Sequence, residues 1–161
     1  MKFVTFDFDN FGGLLHLYAV PAASFRRIVK NYVTGGNTAE FLNRQNIISI
    51  PMFADDTYQF RETKDEADGG TYYDIAINGI IPKWAEDNDA MVEELERGQW
   101  YVVTKDNNGT VRLCGSEESL LRFNTEKDTG TTRPERNGIA FTFTGKQPLP
   151  SPSVDATDVN T

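Results

Sequence analysis

The sequence predicts an α+β domain dominated by antiparallel β-structure: a single-domain β-sandwich or small barrel, with one main flanking helix and one short acidic helix. Three observations lead there. Strand-like runs of β-branched and aromatic residues outnumber runs with helical spacing. The stretch Gln99 to Gly115 is the clearest hairpin, two such arms around the polar Asp106-Asn107-Asn108-Gly109. A chain of 161 residues, 39% hydrophobic, is long enough for one well-cored domain and short for two. The expected division is a globular domain over residues 1–147 and a disordered tail over 148–161.

The first strand signal is Val4, Phe6 and Phe8 alternating with Thr5, Asp7 and Asp9. Asn10-Phe11-Gly12-Gly13 turns the chain, and Leu14 to Val20 reads as the second arm of a hairpin. His16 stands in this strand among apolar neighbours, the setting of a packed or edge histidine rather than a catalytic base. Phe25, Ile28, Val29 and Tyr32 then recur at helical spacing, which predicts the main helix over about residues 22–33. Arg26, Arg27 and Lys30 fall on its solvated face and Gly35-Gly36 stops it.

Ile47 to Ile50 before Pro51 predicts a short buried strand. Thr57 to Arg61 and the longer run Thr71 to Ile81 suggest a hairpin, joined by a hydrophilic surface loop over Glu62 to Gly70. Pro82 ends that strand, and Asp87 or Asn88 caps the short acidic helix near 88–97. Its stripe is Met91, Val92 and Leu95, with a supporting Glu93–Arg97 pair four residues apart.

In the central hairpin, Trp100 and Val102 lie on one face and Tyr101 and Val103 on the other, so its first arm is expected inside the sheet rather than at an edge. Its turn fits a three-residue loop with Gly109 in the left-handed position, a two-residue Asn107-Asn108 loop being the rival. Leu120 to Asn124 alternates, Asp128 to Arg136 reads as a polar loop, and Ile139 to Thr144 has the period of a strand with one buried face. The proline-rich, polar residues from Pro148 bury too little to offset their ordering entropy. They and the Glu62 to Gly70 loop are expected to order only between subunits.

The net charge of −8 is unevenly spread. From Asp55 to Glu96 there are 13 acidic and three basic residues, a net of −10; the remainder carries 11 acids and 13 bases, a net of +2. Such a field repels phosphate backbones and argues against direct nucleic-acid binding through the middle of the chain. No run approaches the 18 apolar residues of a membrane span, and Asp7 and Asp9 interrupt the apolar core that a signal peptide needs, so a soluble, cytosolic protein is expected. One cysteine, Cys114, excludes an internal disulfide, and with a single histidine no Cys/His zinc site can be assembled. Cys114 reads as a small buried hydrophobe.

No chemistry stands out. Phe3 to Asn10, an apolar strand ending in Asp7-x-Asp9, resembles the opening of haloacid-dehalogenase-type phosphohydrolases. That family continues with Gly-Thr, where this chain has Asn10-Phe11, and the chain lacks the strand–helix alternation of a parallel α/β sheet. Asp7 and Asp9 are therefore read as structural or solvating. Asp55-Asp56, Asp65-Glu66-Asp68 and Glu86-Asp87-Asp89 could offer oxygen ligands, but none has the spacing of an EF-hand. The expectation is a protein that is not an enzyme, with no catalytic, cofactor-binding or metal-binding residue.

One broader resemblance covers residues 70–150. Gly70-Thr71-Tyr72-Tyr73-Asp74-Ile75, Gly79-Ile80-Ile81-Pro82, Trp100 through Gly109, Arg112 to Glu117, Gly130, Asn137-Gly138 and Phe141 to Gly145 before Pro148 and Pro150 resemble small virion proteins encoded among tail genes in phages and prophages of gut bacteria. The resemblance implies a tail-associated, tail-tube-like structural protein acting through self-assembly. It implies ring-like homo-oligomers and other tail proteins as partners, no sequence-specific nucleic-acid or membrane binding, and a location in the bacterial cytoplasm during assembly and then in the virion. The alternative from another class is a monomeric, immunity-like binding module whose acidic face captures a basic partner. Residues 1–60 carry no part of the resemblance.

Overall fold

The computed structural model describes residues 11–52, 58–129, 131 and 137–155. The predicted strand over residues 2–9 with Asp7 and Asp9, the Asp55-Asp56 pair, most of the 128–136 loop and the last six residues lie outside the described residues.

Among the described residues, strands β1 (Leu14–Pro21), β2 (Phe25–Lys30), β3 (Asn37–Phe41), β4 (Ile48–Ser49), β5 (Gln59–Ala67) and β6 (Gly70–Pro82) precede helix α1 (Glu86–Arg97). Strands β7 (Gln99–Asp106), β8 (Val111–Cys114), β9 (Leu121–Asp128) and β10 (Gly138–Gln147) follow it. The large sheet runs β4-β1-β7-β9-β10-β6-β5, with β8 also paired to β7, and β2-β3 forms a separate two-stranded sheet. Every strand pair is antiparallel. The α+β, mainly antiparallel fold is as the sequence predicts, in the form of a large sheet with a small one and, among the described residues, no closed barrel.

β7 is the interior strand that its two apolar faces predict. It pairs with β1 along one side and with β8 and the start of β9 along the other. Trp100 and Val102 join one core, with Leu17, Ile77, Phe141, Phe143 and the helix residues Val92 and Leu95. Tyr101 and Val103 join a second core on the opposite face, with Val20, Phe41, Leu113 and Val154. A fully buried side chain of this size contributes roughly 1.5–3 kcal/mol, so a strand buried on both faces anchors the domain far more strongly than an edge strand.

The turn between β7 and β8 takes the three-residue form. Gly109 has φ 84, its N–H donates to the Asp106 carbonyl (3.1 Å), and the Asp106 N–H donates to the Thr110 carbonyl (3.0 Å). Asp106 Oδ1 also accepts the N–H groups of Asn108 (2.9 Å) and Thr110 (2.8 Å).

Four expectations are corrected. Residues 25–30 are a strand, not part of a helix over 22–33: β2 pairs with β3, and Ile28 and Val29 are exposed rather than packed as a helical stripe. Their β-branching suits the extended backbone, and six residues are too few to separate a period of 3.6 from one of 2. The hydrophilic run from Glu62 is not a loop, because β5 continues to Ala67 and only Asp68-Gly69 turn the chain into β6. Residues 148–155 are docked, not free. The Leu113 N–H donates to the Pro152 carbonyl (3.1 Å) and the Val154 N–H to the Val111 carbonyl (2.9 Å), with Ser151 and Val154 buried. Finally, α1 starts at Glu86 without a side-chain N-cap. Asn88 Nδ2 instead donates back to the carbonyls of Pro82 (3.0 Å) and Lys83 (2.7 Å), securing the turn before the helix. The expected Glu93–Arg97 pair is present.

Candidate functional site

Asp7 and Asp9 lie outside the described residues. His16 is exposed on β1 with its ring 6.1 Å from that of Tyr18, and among the described residues no carboxylate hydrogen-bonds to it. Cys114 is fully buried, and burial pushes its thiol up to about 12, so it packs as a small hydrophobe and is not a nucleophile. Among the described residues no three His, Cys, Asp or Glu side chains cluster as metal ligands. The acids singled out above have local duties: Asp65 accepts from Tyr72 Oη (2.9 Å), and Asp89 from Trp84 Nε1 (2.9 Å) and Lys127 Nζ (3.3 Å). The Tyr72 bond, followed by the Glu66 N–H, holds the Asp65 carboxyl below its usual range.

Among the clefts formed by the described residues are two with different linings. The larger, of about 980 Å³, lies between the β7–β8 turn and the start of β5 and includes Asp106, Asn107 and Arg112. These three are already engaged: Asp106 closes the turn, Asn107 Nδ2 donates to the Gly12 carbonyl (2.7 Å), and Arg112 donates to the Ser151 carbonyl (3.2 Å). The second, of about 470 Å³, is more apolar and lies where Phe25 and Ile28 of β2 face Leu149 and the prolines of the docked tail. Neither cleft brings a nucleophile beside a base.

What distinguishes the surface is the arm formed by β2 and β3. Its base is fixed by Phe25, whose ring packs 4.4 Å from that of Tyr101 on β7. Its tip is Asn31 to Gly36, where the Asn31 side chain accepts the N–H groups of Val33 (3.0 Å) and Thr34 (3.2 Å) and Gly35 takes φ 72. This local hydrogen bonding sets the turn and leaves Tyr32 92% and Val33 96% exposed. The arm is basic: Arg26, Arg27 and Lys30 stand against Glu40, which accepts from Arg27 Nε (2.9 Å) and is held below its usual range first by that hydrogen bond. The far edge of the large sheet, β5 with the turn into β6, carries Glu62, Asp65, Glu66 and Asp68 against Arg61 and Lys64. The molecule therefore has a basic arm with an apolar tip and a separate acidic sheet edge.

No protein-family model, curated protein or solved structure matches this chain. The functional reading rests on the surface itself. The sequence located both charges, but its helical reading of residues 22–33 hid the arm. The signal that could have found it is the turn chemistry of Asn31 and Gly35-Gly36 between two β-branched runs. Among the described residues, no helix is long and apolar enough to cross a membrane.

Proposed function

We propose that this protein is a structural subunit that works by self-assembly, a phage or prophage virion component of the tail-associated type. The observation that carries the reading is the arm tip: Tyr32 and Val33 are held almost fully in solvent by a well-bonded turn. Placing an aromatic and a β-branched residue at the end of a projecting ribbon costs solubility and contributes little to the fold of its own chain. It is repaid when another surface covers them. The opposite charge of arm and sheet edge supports copies of one chain as that surface, and the resemblance of residues 70–150 to tail-associated proteins supports the virion setting. The subunit needs no catalytic group and carries no cofactor in this reading.

The acidic first turn of α1, with Glu86, Asp87 and Asp89, favours the second reading, a monomeric module that captures a basic partner. Light scattering across a concentration series separates the two. A structural subunit gains mass as concentration rises and loses it in high salt. A capture module keeps the mass of one chain until a basic protein is added, and that result would overturn the assembly reading.

A further inference from the structure

We infer that assembly, on the reading just proposed, proceeds by β-sheet extension: the outer edge of β2 in one copy pairs antiparallel with the outer edge of β5 in the next. Among the described residues neither outer edge carries a further strand: β2 pairs only with β3 and β5 only with β6, while Glu62 Oε2 of β5 also accepts the Ser151 N–H of the docked tail (2.8 Å). β5 is an unusual edge to leave open. It is nine residues long, pairs with β6 without a register break, and has no proline to block a further strand.

The side chains on the two edges select one register. With the strands antiparallel and Arg27 opposite Asp65, Lys30 falls opposite Glu62 and Arg26 opposite Glu66, so each cation of β2 faces a carboxylate of β5. Val29 then meets Thr63, and Ile28 meets the aliphatic stem of Lys64. A slip of one residue toward the start of β5 sets Arg27 against Lys64 and Lys30 against Arg61. The opposite slip leaves one facing charge pair. Like charges directly opposite are unfavourable and unlike charges favourable, so the charge pattern specifies pairing as well as permitting it. β2 is bulged against β3 between Phe25 and Arg27, so the regular stretch Arg27 to Lys30 sets the register. Glu40, already bonded to Arg27, continues the charged row into a third strand. Because the two edges are different surfaces of one chain, the contact is head-to-tail and builds a ring or an open filament.

The test uses the full chain in four samples: wild type, Arg27→Glu, Asp65→Lys, and an equimolar mixture of the two variants. Mass is read by light scattering from micromolar to millimolar concentration. The expected result is assembly of the wild type, at least a tenfold higher concentration for assembly of either variant alone, and recovery in the mixture, where each reversed edge meets its complement. Recovery on mixing cannot come from variants that fail to fold. Hydrogen exchange should show the outward amides of β5 fast in dilute wild type and slow in the assembly. Wild type that assembles while both variants assemble equally well, or a mixture that does not recover, overturns the pairing and leaves the assembly reading standing. Outward β5 amides already slow in the dilute monomer overturn it too, because another segment of the same chain then covers the edge. Wild type that stays monomeric throughout defeats both.

Discussion

Gly79 on β6 lies directly under the ring of Tyr58, which also packs against Phe141 at a centroid distance of 6.2 Å. A Cβ at residue 79 would fall inside the contact distance of the Tyr58 ring and within 2.7 Å of Phe141 Cζ. The Tyr58 hydroxyl donates to the Ile80 carbonyl, so the ring is held at both ends and has no room to swing away. Close approach, not backbone freedom, is the reason for glycine here.

Gly79→Ala is therefore expected to destabilise the fold by about 1–3 kcal/mol, the usual cost of overpacking a filled core. Urea denaturation checks it: the midpoint falls while the slope stays constant. An unchanged midpoint would mean that Tyr58 is not fixed as described.

The helix and the central strand are joined by Trp100 Nε1, which donates to the Leu95 carbonyl at the end of α1 (2.9 Å) in a buried setting. Trp100→Phe keeps an aromatic ring but leaves that carbonyl with only the longer Gly98 N–H contact (3.4 Å). The expected cost is about 1–3 kcal/mol, read in the same denaturation experiment. Amides in the last turn of α1 should also exchange faster.

Cys114 gives a pH dependence with a definite sign. Its thiol is pushed from 9.0 to about 12, chiefly by burial, against a smaller lowering from a hydrogen bond with Ser151. The unfolded chain releases this proton near pH 9 while the folded chain keeps it, so rising pH favours unfolding. The contribution is fully present below about pH 9 and is lost between there and about pH 12, at no more than about 1.4 kcal/mol per pH unit. Cys114→Ala should flatten that part of the stability profile. In the folded wild type, iodoacetamide at pH 8 should leave the thiol unmodified until denaturant is added.

The docked segment after β10 closes the second core. Val154 is 6% exposed and packs with Val111 and Leu113, and the Asp155 N–H donates to the Asn37 carbonyl of β3 (2.7 Å). Val154→Ala should cost about 1–2 kcal/mol through lost burial. Truncation after Gln147 should cost more and speed exchange of the Leu113 amide, whose acceptor, the Pro152 carbonyl, is removed. A truncated chain with unchanged stability and Leu113 exchange would show that the segment does not bind this edge.

The sequence by itself determined the β7–β8 hairpin, its turn and its place inside the sheet. Each rests on information held within a few residues: alternation that is apolar on both faces, and Asp106 and Gly109 at the positions that the loop demands. It likewise specified β6, β10, the acidic helix and the inert Cys114. Only tertiary structure decided β2, the second half of β5 and the docked tail. Phe25 to Lys30 has a period that suits helix or strand, and the partner strand β3 and the contact between Phe25 and Tyr101 settle it. Glu62 to Ala67 is polar on both faces, so its strand state comes from backbone hydrogen bonds to β6, which side-chain hydropathy does not record. Residues 148–155 have little burial of their own and are ordered by the edges of β8 and β3, distant in sequence. The opposed charges of β2 and β5 were visible residue by residue, but their antiparallel match exists only once both segments are known to be strands whose outer edges carry no further strand among the described residues.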